Sequence, residues 1–277
     1  MNGTFDFSVR FWGVRGSIPT PGPATIKYGG NTSCVEMRCG GHLLIFDAGS
    51  GLRELGLELA KGGSVDADLF LSHTHHDHLV GLPFFGPAFE PRNKLRVWAG
   101  HLQPERTIES VLRDFMAEPL FPVPLEIFGA QVTFRDFKAG ETLSPCPGVT
   151  VRTAALNHPN RATGYRVEYG GKSACYVTDT EHEPGKPDAT VLKLIADADL
   201  LIYDATYTDE EFTRYKGWGH STWQEGVRLA KAARIKSLAL FHHDPCHDDP
   251  MLDGVAAKAA HDFPGAIVAR EGAILTP

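Results

Sequence analysis

The sequence of 277 residues lacks the features that would direct a protein into a membrane or into an oxidising compartment. No apolar run is long enough to span a bilayer. Residues 1–13, MNGTFDFSVRFWG, contain no basic leader followed by an apolar stretch, so we expect no signal peptide. The five cysteines are odd in number and form no CxxC pair, which argues against a disulfide framework. A cytoplasmic protein with reduced thiols is the simplest interpretation.

An excess of positive charge is also missing. The chain has 27 lysines and arginines against 34 aspartates and glutamates, and a net charge of -7 at pH 7. Proteins that bind long nucleic acid unaided usually present a basic face, so this class is disfavoured. A small anionic substrate is still compatible, because a local cationic site can overcome a mildly negative surface. Low-complexity linkers and short repeats are absent as well, so we expect one domain over residues 1–277.

Strands precede helices in each half of the chain. The first half predicts strands in SVRFWG, SCVEMRC, HLLIFDAG and ADLFLSH, a hairpin at Gly40-Gly41, and a helix in GLRELGLELAK. The second half predicts strands in VTVRTAAL, GYRVEYG, SACYVTD, ADLLIYDAT and KSLALFHHD, with helices in STWQEGVRLAKAARI and DGVAAKAAHDF. The periodicity supports an α/β or α+β fold. The order of elements suggests two mixed sheets packed face to face with helices outside, an αββα sandwich.

A helix is predicted between these halves in TIESVLRDFM, and the proline-rich residues 117–129, AEPLFPVPLEIFG, then exclude a regular helix. Apolar residues alternate with these prolines. We therefore expect an ordered flap or wall.

Four histidines and an aspartate crowd into residues 73–78, HTHHDH, directly after a buried apolar strand. Imidazole and carboxylate donors suit zinc, and also manganese or iron. Side chains can converge where a strand ends and the chain turns. We therefore predict that His73, His75, Asp77 and His78 bind metal and that His76 points outward.

Three further candidates each follow a predicted strand: His158, Asp179 and His242. Taken singly, each could instead be a hydrogen-bonded core residue. Ligands at the ends of separate strands, however, are typical of a catalytic pocket. Seven groups suffice for two divalent metals that share a carboxylate. Such a pair lowers the pKa of a bound water and clamps the attacking and leaving oxygens of a displacement.

HTHHDH resembles the HxHxDH signature of the metallo-β-lactamase superfamily. Further segments occur in the order that this superfamily shows: IFDAGSG, NHPN…GYR, YVTDTE, LLIYDATY, GHSTWQEG and LALFHHDP. The opening GVRGSIPTPGP…YGGNTSC resembles the subgroup related to cyclic phosphodiesterases and tRNA 3′-processing nucleases. The resemblance covers nearly the whole chain and implies a hydrolase with the αββα fold.

By this resemblance, His73, His75 and His158 hold one metal, Asp77, His78 and His242 hold the other, and Asp179 bridges them. His242 takes precedence over His243, which lies either behind the site or toward solvent. The resemblance implies two divalent ions, zinc first, with Mn²⁺ or Fe²⁺ as alternatives.

The histidine of an HST motif assists the leaving group in the nuclease relatives, and the equivalent residue here is His220. It acts either as the general acid or only in positioning the substrate. Ser221 or Thr222 is also a good cap for the helix that follows. Asp47 and Asp204 either orient ligand imidazoles or cap the turns after their strands.

Three features favour a phosphodiester substrate: Asp77 in the HxHxDH motif with no cysteine in the third ligand strand, the HST motif, and a loop rich in glycine and hydroxyls. In that loop Arg15 could pair with a phosphate, and Asn31, Thr32 and Ser33 could donate to its oxygens. A plain turn at Gly29-Gly30-Asn31 is the alternative. A base could stack on one of several aromatic residues, Phe121, Phe128, Trp218 and Trp223, although such residues more often belong to the core.

The protruding basic arm of the long tRNA nucleases has no counterpart in the sequence between Trp98 and Phe137, which is apolar and punctuated by proline. We therefore predict hydrolysis of small cyclic phosphodiesters, such as a 3′,5′-cyclic nucleotide or a phosphoribosyl cyclic phosphate, by a hydroxide that two metals activate. Asp77 would orient that water or accept its proton. The alternatives are a tRNA 3′-processing RNase, a lactone or β-lactam hydrolase, and a non-catalytic nucleotide-sensing metalloprotein. Relatives often dimerise, so a homodimer is a further expectation.

Overall fold

Residues 6–277 are described in the computed structural model, and their strands form two seven-stranded sheets. Residues 1–5, which begin the stretch where we expect no signal peptide, lie outside the described residues. The first sheet has the order β14-β1-β2-β3-β4-β5-β6. Its strands are β1 (Phe7–Gly13), β2 (Cys34–Cys39), β3 (His42–Phe46), β4 (Asp66–Leu71), β5 (Lys94–Ala99), β6 (Gln131–Asp136) and β14 (Ile274–Leu275).

The direction of the strands decides which ends meet. In the first sheet β3, β4, β5 and β6 are parallel, so their carboxyl ends lie at one edge. β2 and β3 form the antiparallel hairpin predicted at Gly40-Gly41, and Gly40 has a φ of 57°, which suits a glycine in a tight turn.

The second sheet has the order β13-β12-β11-β10-β9-β8-β7. Its strands are β7 (Thr142–Leu143), β8 (Thr150–Leu156), β9 (Ala162–Tyr169), β10 (Lys172–Val177), β11 (Leu200–Asp204), β12 (Ser237–Phe241) and β13 (Ala266–Val268). β9 is antiparallel to both β8 and β10, and β10 to β13 are parallel to one another. The carboxyl ends of β8, β10, β11 and β12 therefore lie at the same edge.

Six α-helices are described between residues 6 and 277: α1 (Gly51–Leu59), α2 (Ile108–Phe115), α3 (Ala189–Ile195), α4 (Asp209–Tyr215), α5 (Trp223–Ala232) and α6 (Asp249–Asp262). Apolar side chains of α1 and α2 pack on the outer face of the first sheet. Those of α3, α5 and α6 pack on the outer face of the second. A third apolar cluster, which includes Phe46, Phe70, Tyr176 and Phe241, fills the space between the sheets. Helix, sheet, sheet and helix thus form four layers, and the predicted αββα sandwich is confirmed.

The proline-rich residues 117–129 lie along the first sheet, with one short 3₁₀ turn at Leu125–Ile127. Leu125 is buried, and Phe121 and Phe128 pack against the cluster beneath α1 and α2. The segment is therefore an ordered wall, one of the two forms expected. No helix within residues 6–277 has the length and apolar character needed to cross a membrane.

Candidate metal centre

The ends of strands from both sheets bring the histidines and aspartates together. The HTHHDH segment follows β4, His158 follows β8, and Asp179 and His242 follow β10 and β12. Asp179 and His242 have positive φ values of 55° and 61°, and so does Asp47 after β3, with 62°. Non-glycine residues seldom adopt this conformation, and it concentrates at functional sites. The abrupt change of backbone direction turns each of these side chains into the gap between the sheet edges.

The first predicted ligand set converges. The nitrogens that His73, His75 and His158 can offer to a metal all lie within 4.8 Å of one another. His158 Nε2 lies 3.2 Å from His75 Nδ1, and the ring of His73 lies 4.4 Å from that of His75. The second set converges as well, since donor atoms of Asp77, His78 and His242 also lie within 4.8 Å of one another. His242 Nε2 lies 3.3 Å from both Asp77 Oδ2 and His78 Nε2.

Asp179 lies between the two sets and presents one oxygen to each. Its Oδ1 is 3.8 Å from His73 Nε2 and 3.8 Å from His158 Nε2, both in the first set. Its Oδ2 is 3.3 Å from His78 Nε2 and 3.4 Å from His242 Nε2, both in the second set. This is the arrangement that a bridging carboxylate requires.

The donor set fits divalent ions. Nε2 of His73 is buried and has no hydrogen-bond partner, which is costly for a polar atom unless something else binds it. Burial, reinforced by the neighbouring imidazoles, lowers the pKa of His73 well below its usual range. Burial also lowers the pKa of His75 and His158. Neutral imidazole is the form that binds a metal.

Two ligand imidazoles, those of His78 and His158, are held from behind by a further group. Asp47 Oδ2 lies 2.8 Å from His78 Nδ1 and also accepts hydrogen bonds from the hydroxyls of Ser72 and Tyr176. The carbonyl oxygen of Gly219 lies 2.7 Å from His158 Nδ1. Such contacts fix the ring orientation and the tautomer of a ligand histidine. Of the two interpretations of Asp47, the geometry favours orientation of His78.

Asp204 contacts His220 directly and His242 through a threonine. Its Oδ2 lies 3.0 Å from His220 Nδ1, and its Oδ1 accepts a hydrogen bond from Thr206 Oγ1 at 2.8 Å. Thr206 Oγ1 in turn lies 3.0 Å from His242 Nδ1. Burial would lower the pKa of His220, but the charge of Asp204 and the hydrogen bond to it raise that pKa to about 9. The contact with Asp204 therefore favours the protonated form of the imidazole.

His220 reaches the cluster, whereas its two neighbours in the HST motif face away from it. His220 Nδ1 lies 3.8 Å from Asp179 Oδ1. Thr222 caps α5 by accepting a hydrogen bond from the Glu225 N–H, the capping role that its sequence position predicted. Ser221 is buried, and its Oγ lies 2.8 Å from His182 Nδ1. His243 is buried behind the site and contacts the carbonyl oxygen of Ala269. His76 is exposed, as the sequence predicted.

The structure does not place the predicted phosphate-binding residues at the cluster. Arg15 is fully buried, and its guanidinium donates to the backbone oxygens of Gly29, Asp244 and His247. The side-chain amide of Asn31 donates to Glu271. Thr32 Oγ1 accepts from the Ser50 N–H, and Ser33 is completely buried. The prediction for these four residues is therefore corrected: the side chains of Arg15, Asn31 and Thr32 hold the loop together, and the hydroxyl of Ser33 is buried without a hydrogen-bond partner.

The GVRGS segment nevertheless touches the centre through its backbone. The N–H of Ser17 donates to Asp77 Oδ2 at 2.7 Å. Gly16 packs so closely on His242 that an added Cβ would lie 2.3 Å from the imidazole. The loop thereby orients one ligand of the second set and supports another.

Sequence reasoning missed several supporting residues. Glu181 Oε2 accepts hydrogen bonds from the N–H groups of Gly217 at 2.7 Å and Gly219 at 2.9 Å, which holds the loop that orients His158. Ser72, Thr206 and Ser17 were missed as well. Glu181 follows Asp179 by two residues and Ser72 precedes His73, so nearness to a predicted ligand is the signal that was present.

The beta-lactamase superfamily domain is the family whose model matches this chain, over residues 42–243. The match includes all seven predicted ligands. Two proteins named ribonuclease Z align over most of their length. The one from Haloarcula marismortui is 26% identical over 302 residues, covering 95% of this chain and 94% of its own. The one from Gemmatimonas aurantiaca is 24% identical over 317 residues, with coverage of 95% and 94%.

Solved structures share the fold. The metallo-beta-lactamase fold protein YhfI from Bacillus subtilis superposes with a TM-score of 0.73 at 21% identity, covering 97% of this chain and 98% of its own. The short form of human tRNase Z gives a TM-score of 0.67 at 21% identity, with coverage of 97% and 98%. A diphosphatase from the PhnP family gives a TM-score of 0.70 at 20% identity, with coverage of 97% and 96%.

Proposed function

This chain belongs to the beta-lactamase superfamily, and from that premise we propose that it is a metal-dependent hydrolase of phosphodiester bonds in RNA. The family match confirms the resemblance noted in the sequence and, with it, a hydrolase of this fold. Relatives named ribonuclease Z, aligned along nearly the whole chain, favour RNA over the small cyclic phosphodiesters that the sequence led us to expect first.

The observation that carries the proposal is the position of His220. Its imidazole is paired with Asp204 and faces Asp179, the carboxylate that lies between the two predicted ligand sets. An alkoxide leaving from phosphorus needs a proton, and a protonated histidine at the edge of the site can supply it. A thioester hydrolase has less need of such a proton donor, because a thiolate can leave without a proton.

The residues that would hold two divalent ions, zinc first, are His73, His75 and His158 on one side, Asp77, His78 and His242 on the other, and Asp179 between them. When bound, such ions lower the pKa of a water and neutralise charge that develops on the phosphate. The identity of the ions stays a prediction, since these donors also accept manganese and iron.

Asp77 would then act on the attacking water, and His220 on the departing oxygen. Burial would raise the pKa of Asp77, but His78 and His242 hold it well below its usual range. A carboxylate that stays anionic is suited to orienting a water molecule, and less suited to accepting its proton. His220 would give its proton to the departing ribose oxygen as the P–O bond breaks, which leaves a phosphomonoester and a free hydroxyl.

A second candidate, hydrolysis of small cyclic phosphodiesters, is favoured by what this chain does not carry. The alignment with the Haloarcula protein runs over 302 positions, more than this chain's 277 residues, so that relative has residues that are absent here. Between Trp98 and Phe137, where the sequence lacks the basic arm, the proline-rich residues 117–129 pack against the first sheet. Together with the net charge of -7, this favours a short substrate.

The test is hydrolysis by the zinc- or manganese-loaded protein. We expect release of the 3′ trailer from a precursor tRNA, strongly reduced in His220→Ala, and cleavage of bis(p-nitrophenyl) phosphate, which His220→Ala should largely retain because p-nitrophenolate leaves without a proton. Cleavage of cAMP or another cyclic phosphodiester without cleavage of RNA would establish the second candidate. Hydrolysis of nitrocefin or a homoserine lactone with all phosphodiesters untouched would refute both. No turnover of any substrate would favour a sensing protein.

We extend the proposal to one domain over residues 1–277 that works in the cytoplasm. All five cysteines are free thiols, which fits a reducing compartment. A homodimer stays a prediction from the resemblance, to be tested by light scattering.

A further inference from the structure

Residues 214–220, RYKGWGH, alternate cationic and aromatic side chains on the way to His220. Arg214 and Tyr215 end α4, and the chain then turns through Gly217 and Gly219, whose φ values are 91° and 87°. We call residues 214–219 the aromatic rim. It begins in the last residues of α4 and is continuous with the proposed proton donor His220.

Trp218 is the most exposed tryptophan that the structure describes, with 63% of its surface accessible. An exposed indole beside cationic side chains offers a face on which a nucleic-acid base can stack. The loop that presents it is fixed, because Glu181 Oε2 accepts hydrogen bonds from the residues on either side, Gly217 and Gly219. The backbone N–H of Trp218 also donates to the carbonyl oxygen of Tyr215 at 3.0 Å. The ring is thus displayed from an anchored turn.

A row of aromatic rings connects Trp218 to the centre. Trp218 packs edge to face on Tyr215 with ring centroids 5.3 Å apart, and Tyr215 stacks on Tyr207 at 4.6 Å. Tyr207 lies 6.0 Å from the ring of His220. These contacts support the Trp218 ring and connect it to His220. The aromatic rim therefore lies close to the bond whose leaving oxygen His220 would protonate.

The two cations of the rim are available to an anionic ligand. Within residues 6–277, no carboxylate lies within 4.0 Å of Arg214 or Lys216. Lys216 lies near Glu183, whose carboxylate is already paired with Lys186 at 2.9 Å. Cations beside an exposed aromatic ring are what single-stranded nucleic acid requires, since the ring stacks a base and the cations meet phosphates.

We propose that the aromatic rim binds the nucleotide beside the cleaved bond, with its base stacked on Trp218 and a neighbouring phosphate at Lys216 or Arg214. This inference rests on the proposed function and names its substrate class more narrowly, as single-stranded RNA. It also distinguishes Trp218 from Trp223, which is buried at the start of α5.

The experiment compares AMP with ribose 5-phosphate by isothermal titration calorimetry on the metal-loaded protein. The two ligands share the ribose and phosphate and differ in the base. We expect AMP to bind about tenfold more tightly to the wild type, because one stacked base typically contributes that much. Trp218→Ala should remove most of this preference, and Trp218→Phe should restore much of it.

The cations are tested with adenosine 3′,5′-bisphosphate, which adds one phosphate to AMP. We expect it to bind more tightly than AMP to the wild type, with the gain reduced in Lys216→Ala and retained in Lys258→Ala, which alters an exposed lysine on α6. If Lys216→Ala and a matching Arg214→Ala both show the same gain in affinity as the wild type, this part of the proposal is overturned.

The base preference decides the rest. If Trp218→Ala prefers AMP as strongly as the wild type, or if the wild type shows no preference, the rim does not bind a base. Hydrolysis of bis(p-nitrophenyl) phosphate, measured on the same preparations, separates the two proposals. Turnover without a preference for AMP refutes base binding by the aromatic rim alone. A preference for AMP that depends on Trp218, in a protein without turnover, supports base binding by the rim and refutes the proposed hydrolase activity.

Discussion

His220 Nδ1 lies 3.0 Å from Asp204 Oδ2, deep at the junction of β11 and the loop before α5. This pair presents the imidazole to the centre without using any of the seven predicted ligands.

His220→Ala is therefore expected to keep two equivalents of metal and to lose activity. We expect kcat to fall about 100-fold or more, since general acid catalysis contributes at least that factor, while KM changes little. Metal content by mass spectrometry and steady-state kinetics on the same sample measure both. A matching loss of metal would instead make His220 a ligand, a role open to it because it lies with His158 and Asp179 in one candidate group.

Asp179→Asn should reduce the metal content of the protein below that of any other single ligand variant. One Asp179 oxygen faces each ligand set, so the weaker amide would affect both sites. The control is Asp197→Asn, which alters an exposed aspartate paired with Arg234 and leaves the centre untouched. Equal metal content in the two variants would contradict the bridging position.

Gly16→Ala should displace His242, because the new methyl group would lie 2.3 Å from its ring. Groups that support a ligand from behind typically contribute about 10- to 100-fold in metal affinity or activity. We expect a loss in that range, measured as the dissociation constant of the more weakly bound ion. Gly63→Ala is the control, since an added Cβ there meets no atom within 4 Å. Unchanged affinity in Gly16→Ala would show that His242 is not needed for binding.

Glu271→Gln should alter the pH dependence of stability. Burial raises the pKa of Glu271, although the hydrogen bonds from Asn31 oppose this. A group whose pKa is higher in the folded chain stabilises it most below the unfolded value of about 4.5, and that contribution is lost as the pH rises through the folded pKa. The stability of Glu271→Gln relative to wild type should therefore increase from pH 4.5 toward neutrality. Urea unfolding at several pH values tests this, with exposed Glu90→Gln as the control.

Cys246 should be the one thiol that reacts rapidly in the native protein, because it is the exposed one. Burial raises the pKa of Cys39 and Cys175 to about 12 and that of half-buried Cys146 to about 11, which suppresses the reactive thiolate. Titration with dithiobisnitrobenzoate at pH 8 should show one fast equivalent, lost in Cys246→Ser, and five after unfolding. Several fast equivalents in the native state would mean that the cores open readily.

The ligand cluster could be predicted because its members follow strands whose apolar runs are plain in the sequence. Parallel strands end at the same edge, so strand order and direction are enough to bring His158, Asp179 and His242 together. α3 and α4 were missed because seven residues give less than two turns of periodicity. The strands β5, β6, β7, β13 and β14 were not predicted either.

The roles of Arg15 and Glu181 could not be derived from sequence spacing. Two of the three carbonyl oxygens that bind the Arg15 guanidinium lie 229 and 232 residues away in the chain, so no local pattern identifies them. The carboxylate of Glu181 is bonded to N–H groups 36 and 38 residues further on. Both residues hold backbone groups in place. Every residue type has such groups, so the partners cannot be identified from the sequence.

Each predicted ligand set draws on both sheets, joining His75 to His158 across 83 residues of chain and His78 to His242 across 164. An ion in either set would therefore bind residues from both sheets at once. It could no longer do so after unfolding, which separates the sheets. Each tenfold rise in free ion above the dissociation constant would then stabilise the native chain by about 1.4 kcal/mol. The supply of metal in the cell would govern how long the protein survives as well as how fast it works.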